Sequence, residues 1–177
     1  NEAYMNTGVQ RSGATPPAAR TMTTQVAGPE PGNVFGQGKD VPRIAMDHEI
    51  PYVENATVAV LSDLEAKVLR AMQIRGARYL HVLVPCPLGW GTASCDTITA
   101  ARAATQCGIF PVFEAYDGEV TSSTPIRRQI PVEEYLRMQK RFAHLFKPRR
   151  DDIIDRLQAM ADRNIARYGL LEQEVAS

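Results

Sequence analysis

The run YLHVLVP at residues 79–85 constrains the fold most. It is continuously apolar apart from one histidine, it follows Gly76, and it ends in Pro85-Cys86-Pro87. A strand with one face in water alternates in polarity, so a run of this kind reads as buried on both faces of a parallel sheet. Parallel strands need long crossovers, usually helical, and the flanking sequence offers them. Tyr52 to Val60 is rich in β-branched residues and reads as a strand. Ser62 and Glu65 form a capping box ahead of Leu64, Val68 and Met72, and Gly76 is placed to stop that helix. On the other side, Asp96 can cap a helix carrying Ile98, Ala101 and Ala104 and ended by Gly108. FPVFEAY is then a further strand, with Asp117-Gly118 as a turn. The alternation of strand and helix predicts an α/β domain with a mostly parallel sheet flanked by helices.

Pro42 to Glu49 is a short helix candidate with proline at its first position. Two helices close the chain, one over Val132, Tyr135, Leu136, Gln139, Phe142 and Phe146, the other over Ile153, Leu157, Met160, Ala161 and Tyr168. Their apolar stripes suit packing on the sheet or on a partner subunit. Before Pro42 there is no periodicity. Residues 6–41 hold Gly8, Gly13, Gly28, Gly32, Gly36, Gly38, four prolines and the stretch TMTTQ. A structureless segment of this length is a functional loop or is disordered. No internal repeat is present.

With 177 residues, 44% of them hydrophobic, the chain can bury a sizeable core. Its 20 basic and 20 acidic residues cancel, which leaves no electrostatic footprint of a nucleic-acid or anionic-membrane binder. The cluster Lys147, Arg149, Arg150 is answered by Asp151 and Asp152 and reads as a solvated helix junction. No apolar run reaches the roughly 20 residues of a membrane span, and Asn1 is not followed by a leader pattern. The expectation is a cytoplasmic protein. Three cysteines without C-x-x-C spacing make no disulfide framework and suit a thiol-reducing compartment.

Two stretches could carry chemistry. At the start, Asn1 offers a side-chain carbonyl oxygen and Ala3 a main-chain oxygen two residues on, followed by Tyr4, Asn6, Thr7 and Gly8. On extended backbone both oxygens can enter one octahedral Mg²⁺ sphere of the kind shared with phosphates. They make a half-site lacking a carboxylate, and the pattern N-x-x-x-x-N-T-G also suits a plain turn. The second stretch is VPCPLGWG, after the apolar strand. Ligands of open α/β sheets gather at the carboxyl ends of strands, and Cys86 sits there between two stiffening prolines. A thiolate there could hold an iron–sulfur cluster; a lone cysteine can equally be a small buried hydrophobe. Cys95 and Cys107 read as structural, as do the dispersed His48, His81 and His144.

Taken together, NEAYMNTGVQRSGATP, DVPRIAMDHEIPYV, HVLVPCPLGW, CGIFPVFEAYDG and IPVEEYLRMQKRFAHLF resemble the β subunit of 2-oxoacid:ferredoxin oxidoreductases. This is the thiamine-diphosphate-binding part of the pyruvate:ferredoxin oxidoreductase family. The resemblance implies a thiamine-diphosphate-binding fold, with residues 1–130 as the C-terminal portion of that domain and 131–177 as a helical extension. It implies that an aspartate from a Gly-Asp-Gly motif and three cluster cysteines belong to a part of the subunit absent from this sequence. It places Asn1 and the Ala3 carbonyl on Mg²⁺, and Tyr4, Asn6, Thr7 and Gly8 around thiamine diphosphate. Asn6 would be the catalytic amide beside the thiazolium and the bound 2-oxoacid, and Cys86 the fourth thiolate of a [4Fe–4S] cluster.

The implied activity is oxidative decarboxylation of a 2-oxoacid to acyl-CoA and CO₂, with coenzyme A as co-substrate. Electrons would pass through [4Fe–4S] clusters to ferredoxin or another acceptor, within a complex of alpha-, gamma- and delta-type subunits. Tyr4-Met5-Asn6-Thr7-Gly8 looks like the pyruvate-type sequence, whereas 2-oxoglutarate-type relatives tend to lack the asparagine. Phenylglyoxylate and oxalate are handled by close relatives, and GPEPGNVFGQGKD departs from the pyruvate-type pattern. Two other readings stand beside this one: a non-catalytic structural or interaction fragment, and a thiamine decarboxylase without clusters in which Cys86 only packs.

Overall fold

A computed structural model describes residues 1–171 of the chain. Strands β1 (Ala3–Tyr4) and β2 (Gln10–Arg11) pair as an N-terminal hairpin, and β3 (Val26–Ala27) with β4 (Glu30–Pro31) as a second. Helix α1 (Val41–Asp47) leads to β5 (Tyr52–Thr57), α2 (Leu61–Gln73) and β6 (Arg78–Leu83). There follow α3 (Pro87–Trp90), α4 (Thr97–Gln106), β7 (Phe113–Tyr116), β8 (Glu119–Ser123), α5 (Val132–Arg137) and α6 (Asp151–Tyr168).

The main sheet has the order β6-β5-β7-β8. The α/β architecture expected from the sequence is present, as a mixed sheet. The β5–α2–β6 crossover makes a parallel pair, while β7 runs antiparallel to β5 and β8 antiparallel to β7. Asp117 and Gly118 both take positive φ, 48° and 85°, as a two-residue hairpin of primed type requires.

The position of YLHVLVP differs from expectation. Among the described residues its first part forms β6 at the sheet edge, and within that strand only Leu83 is buried. The strand buried throughout is β5, between β6 and β7, although it carries Glu54 and Asn55.

Two caps and one helix also differ. Helix α2 begins at Leu61 with Val60 at its N-cap and no side-chain cap bond, so the Ser62–Glu65 capping box does not form. The strand stops at Thr57, Val60 N–H donates to Thr57 O (3.2 Å), and Ser62 is already inside the first turn. Asp96 stands at the N-cap of α4, but its side chain makes no capping bond; a 3-10 turn over Ser94–Asp96 precedes it. The helix expected over residues 132–146 is divided into α5 and a 3-10 turn over Lys140–Leu145. Gln139 between them is extended and buried, its amide donating to Tyr135 O and accepting from Arg141 Nε, each at 2.8 Å.

The larger core joins Leu83 and Trp90 to the alanines of α4 and to Leu136, Phe142 and Leu157. Alanine on α4 lets the C-terminal helices approach closely. A smaller core holds Val53, Phe113, Ile165 and Tyr168, with the Phe113 and Tyr168 rings stacked 4.6 Å apart. No helix among the described residues is long and apolar enough to cross a membrane.

Candidate functional site

The N-terminal hairpin folds from local signals. Ala3 faces Arg11 and Tyr4 faces Gln10 in the β1–β2 ladder. Between them the Met5 carbonyl accepts from Gly8 N–H (3.2 Å) and Val9 N–H (3.3 Å), and Thr7 Oγ1 donates to Tyr4 O (3.3 Å). Gly8 at φ 99° can take this turn freely; Val9 at φ 58° is held in a region that β-branched residues avoid. Tyr4, Asn6, Thr7 and Gly8 are exposed, with Met5 turned inward. Asn1 and Ala3 are tied together by Ala3 N–H donating to Asn1 Oδ1 (3.4 Å).

The long segment that follows is ordered by side-chain bonds. Asn33, 2% exposed, donates to Thr15 O (2.8 Å) and Pro16 O (3.1 Å) and accepts from Arg11 Nε (3.1 Å). Arg11 N–H donates to Thr23 Oγ1 (2.9 Å), so the TMTTQ stretch braces β2.

Cys86 lies at the N-cap of α3, half-buried, its carbonyl accepting from Trp90 N–H (2.9 Å). This loop and the N-terminal hairpin meet. A Cβ on Gly89 would overlap the Met5 thioether and sit 3.6 Å from Cys86 Sγ. Trp90 Nε1 donates to Asn1 O (2.9 Å), fixing the Asn1 main chain. Beneath, Arg141 stacks over the Trp90 ring at 3.9 Å and donates to Glu2 Oε2 at 2.6 Å. The structure therefore brings Asn1 and Met5, on either side of β1, against the loop that carries Cys86.

Asn1 and Ala3 supply neutral oxygens and Cys86 one sulfur. Those donors suit part of a Mg²⁺ sphere and one corner of a cluster. Among the described residues no three His, Cys, Asp or Glu side chains gather as a metal-binding group. Cys95 is exposed on its own turn. Cys107 is buried, its thiol pushed up to about 12 by desolvation and donating to Ala104 O (3.5 Å).

On one side of the hairpin a cleft of about 420 Å³ runs from Asn1–Tyr4 past Lys39 to Asn55, His81 and Asn164. Asn55 donates to Pro111 O (3.0 Å), but its buried Oδ1 has no partner within the described residues, and neither has His81 Nδ1. Burial lowers the His81 pKa. His144 is held by Pro31 O (2.7 Å), and His48 ends α1 on the surface.

No protein-family model matches the chain. Individual relatives do. Pyruvate synthase subunit PorB of Methanosarcina barkeri is 42% identical over 171 residues, 96% of this chain and 57% of the relative. The protein of that name from Methanocaldococcus jannaschii is 41% identical over 170 residues, 96% of this chain and 55% of the relative. Ketoisovalerate oxidoreductase subunit VorB of Pyrococcus abyssi is 38% identical over 149 residues, 83% of this chain and 48% of the relative. The chain belongs to the family of 2-oxoacid:ferredoxin oxidoreductase β subunits. It spans about half the length of the relatives it matches.

For a β subunit of this family, sequence reasoning found the two stretches that meet and missed what holds them. The Glu2–Arg141 pair joins residues at opposite ends of the chain, and no local pattern announces it. Asn55 sits in a strand whose central place in the sheet was not legible. The aromatic Trp90 and the glycine before it were visible as part of CPLGW, without their partners.

Proposed function

We propose that this chain is part of the β subunit of a cytoplasmic enzyme that oxidatively decarboxylates a 2-oxoacid, pyruvate first, to acyl-CoA and CO₂. The observation that carries the reading is the meeting of the N-terminal turn and the Cys86 loop over Gly89 in a chain related to β subunits named for pyruvate and ketoisovalerate. Thiamine diphosphate, when bound, supplies the electron sink that decarboxylation needs. The chain's own residues position and exclude. Asn1 Oδ1 and the Ala3 carbonyl would be two of the oxygens on Mg²⁺, with the rest from the diphosphate and from residues beyond the described ones. Tyr4, Thr7 and Gly8 would line the cofactor. The Asn6 amide, exposed on the turn, is free to orient the carboxylate of the 2-oxoacid. Cys86 would give one thiolate to a [4Fe–4S] cluster, placing an electron carrier next to that turn. Coenzyme A, ferredoxin and the alpha-, gamma- and delta-type subunits complete the assembly in this reading.

The test is anaerobic dye reduction by the native complex with pyruvate, 2-ketoisovalerate, phenylglyoxylate, 2-oxoglutarate and oxalate, each with and without coenzyme A. CoA-dependent reduction with pyruvate is the expected result. Reduction with another acid would move the substrate assignment. Failure with every acid, in a preparation containing iron and thiamine, would overturn the reading.

A further inference from the structure

Glu54 is the one carboxylate of the central strand, 0% exposed, and neither of its oxygens has a hydrogen-bond partner within the described residues. The polar groups around it on the α2 face of the sheet are bonded to one another and not to Glu54. Two residues before it, Tyr52 gives its hydroxyl to Glu114. Directly across the β5–β7 ladder, Glu114 is Glu54's register partner. Glu114 accepts from Arg70 Nε (2.7 Å) and Nη2 (2.9 Å) and from Ser122 Oγ (3.2 Å). On α2, Lys67 is 1% exposed and donates to Asn55 O (2.8 Å) and Asp63 Oδ2 (2.9 Å). On β6 the register partner of Glu54 is Leu80, which offers nothing polar.

An ionised carboxylate in that position would have no hydrogen-bonded donor in this arrangement, since Lys67 turns two of its three N–H groups to Asn55 O and Asp63 Oδ2 and none to Glu54, and it would face a second carboxylate across one rung of the sheet. Buried charge without a partner is not tolerated; the group neutralises instead, or the structure opens to water. We propose that Glu54 is a proton-binding site, and that the bound proton keeps α2 closed on the sheet. Loss of the proton would put the Glu54 charge against Glu114 and Asp63, with Arg70 committed to Glu114 and Lys67 to Asp63. The relief available is water reaching Glu54, which outweighs the loss of Lys67 and Arg70 as neighbours and requires α2, the element leading into β6 and the Cys86 loop, to lift from the sheet.

Desolvation, partly offset by Lys67, raises the Glu54 carboxyl to about 7. The folded chain thus holds this proton more tightly than an open chain would. The stabilisation is complete below the ordinary carboxylate range and is lost as pH rises through about 7.

The test is hydrogen–deuterium exchange of the α2 amides in the intact complex between about pH 5.5 and 8.5, corrected for intrinsic exchange, in wild type and Glu54→Gln. Wild-type protection of α2 should fall at least about ten-fold across that range, and the Gln variant should be flat. A flat wild type would overturn the proposal, as would the same slope in Glu54→Gln; the first is also what a re-aimed Lys67 ammonium would give. If the variant does not fold, the infrared carbonyl band of a protonated carboxyl in ¹³C-glutamate-labelled wild type decides. Its presence at acid pH and loss near neutrality supports the site; its absence at acid pH overturns it.

Discussion

Met5 packs on the Cα of Gly89, so that the turn carrying Asn6 rests on the loop carrying Cys86. The contact leaves no room for a methyl group, and what would have to move is the flexible end of the methionine. Gly89→Ala should therefore fold, with a stability loss under about 2 kcal/mol by denaturant midpoint. It should displace the turn, and small displacements near a reacting centre cost rate steeply, so turnover of the complex should drop about ten-fold or more. Unchanged turnover would show that the position of this turn does not matter to the chemistry.

Cys86 is half-buried between two prolines, with Gly89 and Met5 beside its sulfur. Cys86→Ser should remove one cluster from the complex, read as loss of about four irons, while thiamine content is retained. Full iron content in that variant would leave Cys86 a packing residue.

Asn6 is exposed on the turn, so its amide supports nothing within the described chain. Asn6→Ala should leave the fold and thiamine affinity nearly unchanged and lower kcat, the pattern of an interaction made with the reacting groups. A rise in the thiamine dissociation constant with normal kcat would reassign Asn6 to holding the cofactor.

The order of strands and helices was legible because Gly76, Gly108 and Asp117-Gly118 punctuate it and the apolar runs fall between them. The ranking of strands was not. Among the described residues the apolar YLHVLVP supplies the edge strand, while YVENAT, with Glu54 and Asn55, lies between two others. Local hydrophobicity cannot report how many neighbours a strand has. Helical spacing likewise ran on through Gln139, because only Arg141 and the Tyr135 carbonyl, met after folding, satisfy its buried amide. At the site, Asn-Thr-Gly announced a turn and Pro-Cys-Pro a stiff loop. Their meeting depends on Met5, Trp90 and the Glu2–Arg141 pair, which are tertiary contacts.

That pair should be the main anchor of the N-terminal segment. The Arg141 side chain is 4% exposed and bonded to Glu2, Gln139 and the face of Trp90. Glu2→Gln leaves its guanidinium without a counter-charge and should cost about 2–4 kcal/mol, since breaking one partner of a buried pair is expensive. Glu2→Gln combined with Arg141→Met should recover part of the loss. A denaturant series on the single and double variants measures both, and a single variant as stable as wild type would remove the anchor role.

Glu114 and Glu54 face one another across a rung yet titrate in opposite directions. Burial would raise Glu114, but hydrogen bonds from Arg70 and Tyr52 outweigh it and hold the carboxyl below its usual value. A depressed group stabilises the fold above the ordinary carboxylate range, and that contribution is lost as pH falls through its folded value. Arg70 is 41% exposed, so solvent screens the pair and the effect is modest. Glu114 should thus contribute to the acid limb of stability, beside Glu133 and Asp152, which their arginine partners also hold down, and Glu54 to the alkaline limb. Urea midpoints measured from about pH 3 to pH 8.5 should show Glu114→Gln flattening the first limb while the second is kept. An acid limb equally steep in that variant would assign it to the other carboxylates held down by arginines, Glu133 and Asp152.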